Sequence, residues 1–165
     1  MKKPVSETWR YPSASVVAEL DRGISHLHVS GVFTPSTAAL MSQDNAAWLS
    51  RIGAVGQVAC YRRAALAIGA DQLLAAALKS PAFALPTALL VDRAHFGLIT
   101  EFAMLMAQRG ICRAPFVDPD QAARWTSRQA EAVAELRSPP PAGRTPWPRS
   151  TPAPAPCRAG LTRTR

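Results

Sequence analysis

Three times in this sequence an apolar, strand-like run stops at a side chain able to accept hydrogen bonds, and a helical pattern begins at once. Ile24 to Phe33 runs into Thr34-Pro35, Thr87 to Val91 into Asp92, and Ile111 to Val117 into Asp118-Pro119. A hydroxyl or carboxylate there takes up the first unpaired amides of a helix, and proline suits the first helical position because no hydrogen bond is lost with its missing N–H. A chain punctuated in this way feeds strands into helices. The stable result is a mixed or mostly parallel sheet with helical layers against it.

The remaining segments fill in that plan. Ser15 to Leu20 and Ile24 to Ser30 flank Asp21-Arg22-Gly23, which predicts an antiparallel hairpin. The helix after Thr34 is expected to reach about Ile52, burying Ala38, Met41, Trp48 and Ile52, and to stop at Gly53. Val55 to Tyr61 reads as a strand with Arg62 and Arg63 at its exit, and Asp71 as the cap of a helix over Gln72 to Lys79. Thr87 to Val91 is apolar without alternation, the pattern of an interior parallel strand. Asp92 is expected to cap a helix over Arg93 to Arg109 that ends at Gly110, and Pro115 puts the last strand at a sheet edge. Gln121, three residues after Asp118, completes a capping box for a final helix carrying Trp125, Val133 and Leu136. The expectation is an α/β fold: an N-terminal β-hairpin, then alternating helices and strands, in a four-to-five-stranded mixed sheet flanked by helices.

Composition sets the boundaries. With 48% hydrophobic residues in 165, the chain carries enough apolar surface for a packed core, and three scattered cysteines make no disulfide framework. It changes character after Arg137. Residues 138–165 hold eight prolines and five arginines with no acidic residue, so they supply +5 of the net +8 and leave +3 on the rest. That reading divides the chain into an N-terminal extension over 1–13, one α/β domain over 14–137 and a Pro/Arg-rich disordered tail over 138–165. The tail is open to three roles: an inert extension, an anchor for nucleic acid or another acidic partner, or a proline-rich ligand for an aromatic groove. Lys2 and Lys3 are followed by no apolar stretch of signal-peptide type. The runs Ala64 to Ala77 and Ala94 to Ala107 are interrupted by Gly69, Asp71, Gln72 and by Glu101, so no membrane span is expected. Together with reduced thiols at Cys60 and Cys112, this predicts a cytoplasmic protein.

Chemistry-bearing positions are few. His26 and His28 sit two apart on a strand and project from one face, the spacing of two metal ligands or of an ordinary polar face; His95 or Cys112 would have to complete a site. Asp92 and Asp118 fall at the carboxyl ends of strands, where open α/β sheets collect ligands, yet both also suit helix caps. They are the candidates for an acid/base pair or a small anionic-metabolite site, with Arg62 or Arg93 as the cation. There is no nucleophile elbow, no phosphate-cradling glycine loop and no dinucleotide fingerprint, so no cofactor is expected. Cys60 and Cys112 read as packing thiols, and Cys157 as exposed in the tail.

The element order, the stretch Leu27-His28-Val29-Ser30-Gly31-Val32-Phe33-Thr34 and the closing segment from Arg113 to Trp125 resemble STAS-like domains, the α/β modules of anti-sigma-factor antagonists and sulfate-transporter tails. The resemblance spans about Ser15 to Leu136. It implies a binding or regulatory module that works through a protein partner or self-association. The family's phosphorylatable Ser or Thr has no counterpart, because the matching region from Arg62 to Asp71 contains no hydroxyl. The expectation is a non-enzymatic module without that phosphoryl switch.

Overall fold

The computed structural model describes residues 5–79 and 85–137. The sequence expectations for 138–165, Cys157 included, lie outside the described residues. The elements are β1 (Val5–Arg10), β2 (Ala14–Asp21), β3 (Ile24–Phe33), α1 (Pro35–Ile52), β4 (Gly56–Leu66), α2 (Ala70–Ala77), β5 (Thr87–Leu90), α3 (Phe96–Ala107), β6 (Arg113–Phe116) and α4 (Pro119–Arg137). The strands form one sheet in the order β1-β2-β3-β4-β5-β6. β1–β2 and β2–β3 are antiparallel, and the other three pairings are parallel. The fold is therefore α/β with a mixed sheet, as the alternation of elements indicates.

The sheet has six strands rather than four or five. The added one, β1, lies in the segment read as an extension. It is an edge strand whose side chains are mostly exposed; Trp9 alone among its six residues is buried, so no apolar alternation marks it. Pairing of Asp21 with Ile24 leaves Arg22 (φ 47) and Gly23 (φ 82) as a two-residue turn, both left-handed, which matches the twist of the flanking strands. β4 runs five residues beyond Tyr61, to Leu66, because β3 pairs with it along its length. His28 pairs with Cys60 and Ser30 with Arg63, so Tyr61 and Arg62 stand together against Val29 in a β-bulge. Arg62 and Arg63 are thus exposed strand residues and not a strand exit.

Helix starts follow side-chain chemistry, with two revisions. Thr34 Oγ1 accepts the Thr37 amide at 3.3 Å and Gly53 (φ 63) ends α1. Asp118 Oδ1 accepts the Asp120 and Gln121 amides at 2.8 and 3.3 Å at the start of α4. Asp71, however, lies inside the first turn of α2; Gly69 precedes the helix, and its amide is taken by Gln72 Oε1 at 3.0 Å. Asp92 closes a separate turn over Arg93–His95, and α3 begins only at Phe96.

The two faces are covered unequally. α1, α2 and α3 pack on one face in a single core that includes Leu27, Val29, Phe33, Ala59, Tyr61 and Leu89 with Met41, Trp48, Leu73, Ile99, Phe102 and Met106. Each large side chain buried there stabilises the fold by about 1.5–3 kcal/mol relative to exposure. On the other face α4 lies over β4, β5 and β6, packing Ala122 and Trp125 on Val58, Ala88 and Phe116. Gly56 allows this approach, since a Cβ there would meet Thr126 Cγ2 at 2.9 Å. Beyond Ile24, which packs into the cluster under α4, the same face of β1, β2 and β3 is left open, with His28, Val17 and Val32 exposed on it.

Candidate functional site

The parallel strands β5 and β6 deliver Asp92 and Asp118 to their carboxyl ends, as expected, but each carboxylate is engaged locally. Asp92 Oδ1 accepts the His95 amide at 3.0 Å and lies 2.9 Å from His95 Nδ1. The His95 amide is the main reason its carboxyl sits below the ordinary carboxylate range. Asp118 serves the amides of α4. Both therefore bond the backbone of their own turns, Asp118 as the cap of α4 and Asp92 in the turn that precedes α3. Glu101 is exposed on α3, and Arg93 is exposed in the turn before it.

His26 and His28 do share a face, the open one. His26 pairs with Glu19 across β2–β3, and His28 Nε2 lies 4.0 Å from Glu19 Oε2. Burial, reinforced by the neighbouring His28, lowers the His26 pKa, while Asp21 and Glu19 oppose the shift. The β3–β4 register also sets Cys60 beside His28, a neighbour that sequence distance conceals. Among the described residues no three His, Cys, Asp or Glu side chains stand where they could hold one metal ion. His95 is occupied with Asp92, and it does not join the pair on β3.

A different constellation lies inside the core. Ser25, Gln57, Thr87 and Arg113 are successive Cα partners across β3, β4, β5 and β6. They form a polar row across an otherwise apolar face, and Ser25, Gln57 and Thr87 are buried. Buried polar groups require partners. Trp48 Nε1 donates to Ser25 Oγ at 3.0 Å, and Gln57 Nε2 donates to Ser25 Oγ at 3.3 Å. Gln57 and Asn45 exchange amide hydrogen bonds at 2.8 and 3.2 Å. Thr87 Oγ1 donates to the Leu85 carbonyl at 3.3 Å. Arg113 ends the row; its Nη1 donates to the carbonyls of Leu85 at 2.6 Å and Cys112 at 3.2 Å.

Between this row and the helices lies a cavity of about 80 Å³. Gln57, Asn45, Ser42, Thr87, Tyr61 and Arg113 supply its polar lining, and Leu27, Phe33, Met41, Leu73, Leu89 and Phe102 are among its apolar walls. Burial pulls the Arg113 guanidinium down to about 10 and pushes the Tyr61 hydroxyl up to about 12, the second shift opposed by the charge of Arg113. Arg113 remains a cation and Tyr61 a neutral donor across the physiological range. The arrangement can position a small polar or anionic group; it has the makings of a binding site, and none of its members is an evident nucleophile. No helix among the described residues is long and apolar enough to cross a membrane. No family model and no curated sequence matches the chain.

Proposed function

We propose that this chain is a non-enzymatic binding module that resembles STAS-like domains and docks a protein on the open sheet face of β1, β2 and β3. The observation that carries this reading is the one-sided coverage of the sheet. α4 stops short of the hairpin, so the Val17 and Val32 side chains stand 37% and 43% exposed beside His28 and Glu19. A sheet face of mixed apolar and ionisable character suits a reversible protein interface. The strand–helix junction from Ala67 to Asp71 offers no hydroxyl, so regulation by phosphoryl transfer at that junction forms no part of the proposal. The backbone hydrogen bonds that Asp92 and Asp118 accept in their own turns likewise argue against an acid/base centre built on those two carboxylates.

A second copy is the occupant to test first, because the exposed Val17 and Val32 side chains give the patch an apolar centre that the same patch of a two-fold partner would cover. Light scattering of the full chain across a concentration series should show association that Val17→Asp and Val32→Asp weaken, with the circular dichroism spectrum unchanged. A chain that stays monomeric, and that retains no protein sensitive to those two substitutions in affinity capture, would rule the reading out.

A further inference from the structure

We infer that the core cavity beneath α1, α2 and α3 is a binding site for a small oxyanion, of the size of formate, acetate or nitrate, held by Arg113. The argument begins with charge. A guanidinium withdrawn from much of its water, as the half-buried Arg113 is on the inner face of the sheet, is stabilised by a nearby counter-charge. No carboxylate among the described residues forms an ion pair with Arg113. Residues 1–4, 80–84 and 138–165 contain no Asp or Glu, so no other side-chain carboxylate exists in the chain to supply one.

Geometry carries the argument further. Nη1 is fixed by the carbonyls of Leu85 and Cys112. That leaves Nε and Nη2, one edge of a planar fork, with no acceptor among the described residues. No buried side-chain nitrogen or oxygen among those residues lacks a partner, so this edge faces space that solvent or a ligand reaches. A guanidinium edge with two parallel donors matches the two oxygens of a carboxylate or a planar inorganic oxyanion. Tyr61, which also lines the cavity, adds a hydroxyl donor, and the Gln57–Asn45 pair forms a fixed polar wall.

Size then limits the ligand. The cavity's 80 Å³ is several times the 10–15 Å³ that one water needs on the same measure, yet well below the several hundred Å³ of sites for drug-sized molecules. Nucleotides and sugars do not fit. The apolar walls around the polar end accommodate a methyl group, which favours a short-chain carboxylate.

The test uses the full chain with sodium acetate, formate or nitrate at constant ionic strength, followed by thermal unfolding and by isotope-edited NMR of carbon-13 acetate. A saturable rise in the unfolding temperature is expected, with a dissociation constant in the millimolar range and line broadening of the labelled acetate. Arg113→Gln should weaken binding by about tenfold or more, the effect of losing charge-assisted hydrogen bonds. Tyr61→Phe should weaken it by a smaller factor while leaving the fold intact. The inference fails if the wild-type chain shows no saturable response, or if Arg113→Gln responds as the wild type does. Should Arg113→Gln not fold, Tyr61→Phe decides: unchanged acetate affinity leaves water as the cavity's occupant and overturns the assignment.

Discussion

At the scale of single residues, conformations that only particular side chains tolerate fix several corners of this molecule. Gly31 has φ +92, and a Cβ there would stand 2.5 Å from the Ser13 carbonyl oxygen, which is backbone and cannot turn away. Gly31→Ala is therefore expected to destabilise the fold by about 1–3 kcal/mol in urea titrations, from left-handed strain and the clash together. His26 gives a prediction about pH. Its folded-state pKa lies below the ordinary 6.5, chiefly through burial and then through His28, with Asp21 and Glu19 pulling the other way. On acidification the unfolded chain takes up this proton first. The stability contributed by neutral His26 is thus complete above the unfolded value and disappears as the pH falls through the folded one. Unfolding temperatures measured between about pH 7 and pH 5 should fall less steeply for His26→Gln than for the parent chain. An identical slope would show that the ring's environment does not distinguish its two protonation states.

Between elements, α4 approaches the sheet closely at Gly56. Thr126 Oγ1 donates to the Ala122 carbonyl at 2.9 Å, which holds the side chain in the orientation that aims its methyl at Gly56. Gly56→Ala should cost about 1–3 kcal/mol through overpacking. Thr126→Ser keeps the hydroxyl and removes the methyl, so the double variant should recover part of that loss; strict additivity in the double-mutant cycle would refute the proposed contact. Elements of this kind were largely legible in the sequence. Thr34-Pro35 and Asp118-Pro119 announce α1 and α4 because capping is local chemistry, and Pro115 marks β6 as an edge strand because a missing N–H is a local property too. What the sequence conceals is lateral. β1 escapes notice because a half-solvated edge strand needs only Trp9 to be apolar. The polar row escapes because Ser25, Gln57, Thr87 and Arg113 are far apart in the chain and meet only through the registers of three parallel pairings. Asp92 and Asp118 are conspicuous for the same local reasons that tie them to the backbone of their own turns. Arg113 is the only basic residue between Gly110 and Arg124, and no neighbour in sequence advertises that its guanidinium turns inward.

For the whole molecule, charge and packing are distributed differently along the chain. Among the described residues the buried core lies between Trp9 and Ala130, and +5 of the net +8 belongs by sequence to residues 138–165. The part that remains after removing those residues carries +3, and its arginines are spread along it: Arg10 on β1, Arg22 in the β2–β3 turn, Arg51 on α1, Arg62 and Arg63 on β4, Arg93 before α3, Arg109 after it, Arg113 on β6, and Arg124, Arg128 and Arg137 on α4. Arg51 is already paired with Glu7. Affinity for a polyanion depends on how many phosphates are neutralised together, and each contact adds about one unit to the salt dependence of binding. A chain ending at Arg137 should therefore keep its cooperative unfolding transition while losing retention on heparin or single-stranded DNA, with the slope of log K against log salt falling by several units. Retention and slope that survive the truncation would place the polyanion-binding surface on the sheet domain itself, where Arg62 and Arg63, adjacent at the β-bulge, would be the first residues to replace.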